Sequence, residues 1–369
     1  MKHDTHHRHH KKSLPALRGG VLALLAAALF GISTPLVQHM GQGLGAFSTA
    51  ALLYAGAASM GAVLRQPVER EAALRLADVP RLAWMALFGA AIGPVALAWG
   101  LQHTSGTSAS LMLALEALFT AALARWCYGE VMDRRVWTAM GLLLAGGLVL
   151  VVNRGLNGAA ALAASDATAG MAGLLGLLAV LAATAAWGVD NTLSRALAER
   201  DPGQVVLGKS LLGVAATTAL AVAAGEPLPH WTAALALLAI GGCGYGLSLR
   251  LYLLAQRAFG AARTGSVFAF APFIGALLAI AMGDRSLSPG TAVGGGLMLA
   301  GILLHLAERH AHAHEHQPLD HEHAHRHDDG HHDHIHTPMP VGEHSHPHRH
   351  TPIRHSHAHV PDAHHVHTH

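Results

Sequence analysis

TSASLMLALEALFTAALARWCYGE, residues Thr107 to Glu130, is an apolar run long enough to cross a bilayer; a Gly-Glu pair closes it, and one carboxylate, Glu116, sits in its middle. Shifted by 154 residues, the stretch returns without a gap as Ala261 to Asp284, AARTGSVFAFAPFIGALLAIAMGD. Gly106 meets Gly260, Phe119 meets Phe273, Leu123 meets Leu277 and Gly129 meets Gly283. The register holds into the next segment, where Gly141, Gly147 and Leu150 meet Gly295, Gly301 and Leu304. A repeat of this length means two copies of one unit.

The surrounding composition says what kind of unit. Of 369 residues, 51% are apolar and 12% charged, against roughly 25% charged in a soluble protein. The charges lie between long apolar runs, the pattern of a polytopic membrane protein. Cys127 and Cys243 sit inside apolar runs at unrelated repeat positions and read as small packing residues, with no disulfide framework. The basic N-terminus precedes a run of full spanning length with no small-x-small cleavage site, so it reads as an uncleaved first helix.

Ten segments approach the ~20 residues that a ~30 Å hydrocarbon layer requires. In the first half they are Leu17–Val37, Ala46–Leu64, Leu82–Leu101, Thr107–Ala124 and Val136–Val152. The second half has Met171–Val189, Val205–Ala224, Trp231–Leu249, Thr264–Met282 and Thr291–Leu306. The chain therefore divides into a His-rich N-terminus (1–16), a first five-helix repeat (17–152), a linker (153–170), a second repeat (171–308) and a His-rich tail (309–369). The Gly/Ala-rich stretch Gly155–Gly170 reads as the link between halves. With the N-terminus inside, 22 of the 24 Lys and Arg residues fall on the cytoplasmic side, leaving Arg154 and Arg285 outside. Both termini are thus expected in the cytoplasm, the protein lying in the inner (cytoplasmic) membrane. Five helices per half is an odd number, so the halves have opposite orientation, and inverted repeats place a substrate site near the midplane. The expected fold is an all-α integral membrane protein of ten helices in two inverted five-helix repeats.

These residues resemble the drug/metabolite transporter superfamily in its EamA-type form, over about residues 17 to 308. The carriers are the aromatic-Gly pairs Phe30-Gly31 and Trp187-Gly188, the fourth helices ending in Gly-Glu or Gly-Asp, and the Gly-rich closing helices GLLLAGGLVLV and GGGLMLAGILL. The resemblance implies a transporter. It also implies a proline in each fourth helix and a basic residue in each second helix. Pro272 keeps the first feature where Leu118 does not; Lys209 keeps the second, with Tyr54 or a neighbour at the other site.

Within the spans, Glu116 is the outstanding residue. It lies too far from either end to reach an interface, and a carboxylate in hydrocarbon must be protonated, paired or facing water. It reads as a proton-coupling or cation-binding group, or else as a neutral carboxyl bonded to a neighbouring backbone. Asp190-Asn191 follows Trp187-Gly188, where the first half has Ser33, Thr34 and Pro35. Both copies turn polar there, as a cavity lining or a helix cap. Lys209 and Arg250 sit about one turn inside helix ends and are expected to snorkel; turned inward, they could neutralise Asp190 or bind an anionic group. Tyr245 shares their neighbourhood. The substrate or coupling-ion candidates are Glu116, Asp190, Asn191, Trp187, Lys209, Arg250 and Tyr245. The glycines serve helix packing, and no nucleotide motif or catalytic set is visible, so an enzyme is not expected.

Of 32 histidines, 23 fall between His310 and His369 and five more in MKHDTHHRHH. The tail has no apolar periodicity and is expected to be disordered when free. Interleaved His-x-His and carboxylates suit Zn, Ni, Co or Cu, so His312, His314, His316, His321, His323, His325, His327, His331, His332, His334 and His336 are candidate ligands. A pH-responsive tail is the alternative. His39, His103, His230 and His305 lie at helix ends without i,i+4 partners.

The leading expectation is a secondary, proton-coupled transporter of a small metabolite with a metal-binding regulatory tail. The rivals are a divalent-metal transporter and a membrane-anchored metal sensor or store. No cofactor is required beyond metal on the tail. The expected partners are lipid, substrate and protons, with a homodimer permitted and nucleic acid excluded.

Overall fold

The computed structural model describes residues 14–67, 71–128, 132, 134–163, 167–197, 200–259 and 261–306, and short stretches of the tail. Among the described residues, ten helices are long and apolar enough to cross a membrane. They are α1 (Arg18–Met40), α2 (Ala46–Leu64), α3 (Leu76–His103), α4 (Gly106–Cys127) and α5 (Arg134–Leu156) in one half. The other half has α6 (Met171–Leu197), α7 (Pro202–Ala223), α8 (Trp231–Ala258), α9 (Thr264–Ala281) and α10 (Pro289–Leu306). The membrane body is all-helical. Every expected span is present, and α3, α6 and α8 run several residues beyond the apolar core. The region expected as a linker differs. Helix continues from Arg134 to Ala163, and the next helix begins at Ala167. Its alanines, the best helix formers, outweigh the few glycines that suggested a loop.

The internal symmetry is visible in the packing. Helix α2 lies on its own repeat partner α7, and α5 on its partner α10. The α3–α6 contact is matched by its counterpart between α8 and α1. Two π turns interrupt α3 at Leu87–Ile92 and α8 at Gly241–Leu247. Their starts are separated by the same 154 residues that relate the two halves. Both fourth helices are broken as well. Helix α4 divides into Gly106–Met112 and Leu115–Tyr128, and around α9 the division is Ala261–Phe268 and Ala271–Ala281. Pro272 sits just past the second break. The first break occurs without a proline, so Leu118 in that position does not keep the helix whole.

Close approach depends on glycine. A Cβ on Gly56 would sit 2.0 Å from the Leu238 carbonyl oxygen, and one on Gly241 would sit 1.9 Å from that of Leu53. Helices α2 and α8 therefore touch backbone to backbone, the small-residue packing that replaces hydrophobic association within lipid.

In the tail, β1 (Ala311–Glu315) pairs antiparallel with β4 (Arg354–Ala358), and β2 (Asp320–His325) with β3 (His344–Arg349). These stretches differ from the disorder expected of the tail. Strict alternation of His with other residues is also the two-residue period of a strand. The candidate ligands His312, His314, His321, His323 and His325 lie on these strands. His316, His327, His331, His332, His334 and His336 lie outside the described residues, as do residues 1–13 of the N-terminus.

Candidate substrate site between the two halves

Both halves contribute to one cavity with about 550 Å³ of empty space, part of it open to solvent. The break in α4 positions its carboxylate. Glu116 falls in the first turn of Leu115–Tyr128, not deep within an unbroken helix. There the free N–H groups and the half-helix dipole favour negative charge. Its N–H donates to the Leu113 carbonyl across the break at 3.0 Å. Across the cavity, Asn191 Nδ2 donates to Glu116 Oε1 at 2.5 Å. The neighbouring Asp190 is 4% exposed and holds the ammonium of Lys209, itself 2% exposed, through Oδ2. Helical structure continues past this pair to Leu197, so Asp190-Asn191 lines the cavity and does not cap a helix end.

The π turn in α3 offers the Gly89 carbonyl to two ring residues. Tyr54 Oη donates to it, and Trp187 Nε1 donates at 3.0 Å. A Cβ at Gly89 would lie 2.2 Å from Asp190 Oδ2 and 2.7 Å from Lys209 Nζ. The ion pair thus rests in the space that the missing side chain leaves. Around it stand aromatic rings in mostly edge contacts. Phe30 meets Trp187 at 5.5 Å and Tyr245 at 5.7 Å, and Tyr54 meets Tyr245 at 5.6 Å. Phe268 joins Phe30 at 5.5 Å and Tyr252 at 5.0 Å. The two aromatic-Gly pairs share a logic. Their rings Phe30 and Trp187 line the cavity, while Gly31 and Gly188 admit the broken helix of the other half. A Cβ on Gly31 would meet the Ala271 carbonyl oxygen at 2.3 Å, and one on Gly188 would meet Phe119 Cβ at 2.6 Å.

Of the candidates, Glu116, Trp187, Asp190, Asn191, Lys209 and Tyr245 are brought together here. Arg250 is not among the lining residues; its Nη1 donates to the Leu64 carbonyl at 2.5 Å. Lys209 does not snorkel, because Asp190 offers its charge a partner inside the bundle. Sequence reasoning missed Tyr54 and Phe268 as lining residues; the 154-residue shift aligns Glu116 with Phe270. The break around α9 turns Phe268 to the cavity, while Phe270 packs into the surrounding core.

The two ends of the bundle are closed differently. At the end that carries Arg65, Arg200 and Arg250, Arg257 Nη1 meets both Glu71 oxygens at 2.9 and 2.7 Å, and Arg200 Nε pairs with Asp78 at 2.9 Å. At the opposite end, two acids follow left-handed glycines, Gly225 (φ 66) and Gly283 (φ 101). Glu226 accepts from Phe47 N at 3.1 Å and from Ser48 N at 2.7 Å, at the start of α2. Asp284 accepts from Thr107 N at 2.8 Å and Thr107 Oγ1 at 2.9 Å, at the start of α4. Acids of the second half thus cap helices of the first. Next to this seam, Gly106–Met112 packs on Ala271–Ala281. The other half-helices, Leu115–Tyr128 and Ala261–Phe268, instead face each other across the cavity through Glu116 and Phe268.

Burial pushes the Asp284 carboxyl up, but hydrogen bonds from Ser286 and Thr107 outweigh it and hold the group below the usual carboxylate range. A lowered folded-state value means that this cap is fully present above the ordinary carboxylate range and is lost as pH falls through the lowered value. Asp284→Ala should remove roughly 1 kcal/mol of capping and loosen the seam. The readout is thiol labelling of a cysteine placed at buried Ser110, in a background without Cys127 and Cys243. Faster labelling is expected; an unchanged rate would show that the cap does not hold this end shut.

The EamA-like transporter family model matches residues 17–152 and 174–307, both repeats in turn. A crystal structure of a protein 21% identical in sequence aligns with TM-score 0.53, covering 80% of this chain and 98% of its own, and so shares the fold. No curated protein matches this chain. Ten membrane helices in two repeats, matched twice by one family model over most of the chain, make this protein a multi-pass membrane transporter of the EamA-like family.

Proposed function

We propose that the protein is a secondary, proton-coupled transporter of a small metabolite, with Glu116 as the coupling group. The observation that carries this reading is the placement of Glu116 in the first turn of a half-helix, inside a cavity to which both inverted halves contribute. The distribution of Lys and Arg supports cytoplasmic termini in the inner membrane. On that orientation, the Asp284 and Glu226 caps close the outer end.

A divalent-metal carrier fits less well. Two carboxylates reach the cavity, and one of them is already neutralised by Lys209, a poor ligand set for a divalent ion. Metal belongs on this reading to the His-rich tail, as a regulatory input from the cytoplasm. Truncation before His310 is expected to leave transport intact while abolishing any response of flux to Zn²⁺ or Ni²⁺; a metal response that survives truncation would remove the tail from regulation. The function itself is tested by growing a deletion strain on a panel of metals beside a panel of amino acids and their analogues. A phenotype among the organic compounds is expected. One confined to metals would sink the metabolite reading.

A further inference from the structure

We propose that the cavity takes an organic ammonium, a monocationic amine with an aromatic or apolar body. The inference rests on the transporter reading above and specifies the cargo class of that same site. It begins from the unused hydrogen-bonding capacity of the charged groups. Lys209 is the cation among the lining residues, and its ammonium is held by Asp190 Oδ2. Arg250, the next basic side chain along, donates to the Leu64 carbonyl and is not in the lining. An anionic guest would therefore find the cavity's ammonium already committed.

The acceptors have capacity to spare. Asp190 Oδ1 is buried and, among the described residues, has no hydrogen-bond partner. A buried carboxylate oxygen in this position costs free energy that a donor from a guest would recover. Glu116 has one oxygen on the Asn191 amide, and it is a second carboxylate with no basic partner at hydrogen-bond distance among the described residues. With both carboxylates ionised against one ammonium, the site carries a net charge of minus one.

The walls agree in sign. Phe30, Trp187, Tyr245 and Phe268 form a connected cluster with centroid separations of 5.5 to 5.7 Å from Phe30. The faces of such rings are negative and attract cations, by about 0.5–2 kcal/mol each. Surplus acceptors and a ring cluster together describe a host for an alkylammonium head on an apolar body.

The test uses the full chain, purified in detergent, and three probes that share one body: phenethylamine, phenylalanine and 3-phenylpropionate, carrying charges of plus one, zero and minus one at neutral pH. Binding is read by calorimetry. Phenethylamine is expected to bind at least about tenfold more tightly than either of the others. Phe30→Leu, which keeps an apolar wall and removes a ring, should weaken phenethylamine several-fold and leave thermal stability near that of the parent. Equal or tighter binding of phenylalanine or of 3-phenylpropionate would overturn the cation assignment, as would no binding by phenethylamine. Flux in proteoliposomes is scored separately. Phenethylamine binding without flux would contradict the transporter reading and leave the cation site standing.

Discussion

Glu116→Gln should yield a folded protein that no longer responds to a proton gradient. The amide keeps the shape of the carboxylate and retains an oxygen that Asn191 Nδ2 can bond, so the junction of the halves stays satisfied. What is lost is the ability to ionise. If Glu116 carries the coupling proton, gradient-driven flux should fall to the level seen without a gradient, because the amide neither takes up nor releases a proton. The remaining flux should vary little with pH. Flux assays in proteoliposomes at several imposed gradients would check this. Parental flux with the parental pH dependence would exclude Glu116 from coupling.

The second large effect is on stability. Lys209 and Asp190 form an ion pair buried over Gly89. Lys209→Met leaves Asp190 charged and alone, and breaking such a pair typically costs about 3–5 kcal/mol. A sharp fall in the detergent melting temperature is expected, with loss of correctly folded yield. Removing both charges, as Lys209→Met with Asp190→Leu, should recover most of that loss, because apolar side chains of similar size replace the pair at little cost. If the single variant is as stable as the parent, the pair is not buried as described.

How far the sequence revealed this arrangement depends on the distance over which each feature acts. The ten spans were legible because hydrocarbon thickness imposes a length on every helix, and the repeat was legible because both halves solve one packing problem. Glu116 and Asp190 stood out because charge inside a span is rare. The partners did not. Nothing local shows that Lys209 reaches Asp190 rather than the interface, or that Arg250 bonds the Leu64 carbonyl instead of a substrate. The π turns at Leu87–Ile92 and Gly241–Leu247 were hidden among glycines that read equally as packing residues. The break in α4 was hidden because the proline expected at the Leu118 position is absent there. Had it been seen, Glu116 would have been placed at a half-helix N-terminus from the start. The acids after Gly225 and Gly283 were visible, but their targets at the starts of α2 and α4 lie more than 170 residues away in the chain.

The central claim is that the Glu116 carboxyl binds and releases a proton within the cavity. Infrared difference spectroscopy reads this without a known substrate, by comparing the carboxyl C=O stretch of the full chain at acid and alkaline pH. The account predicts a protonated-carboxyl band that appears on acidification of the parent and is missing from Glu116→Gln. The same pH-dependent band in both proteins, or no such band in the parent, would contradict it.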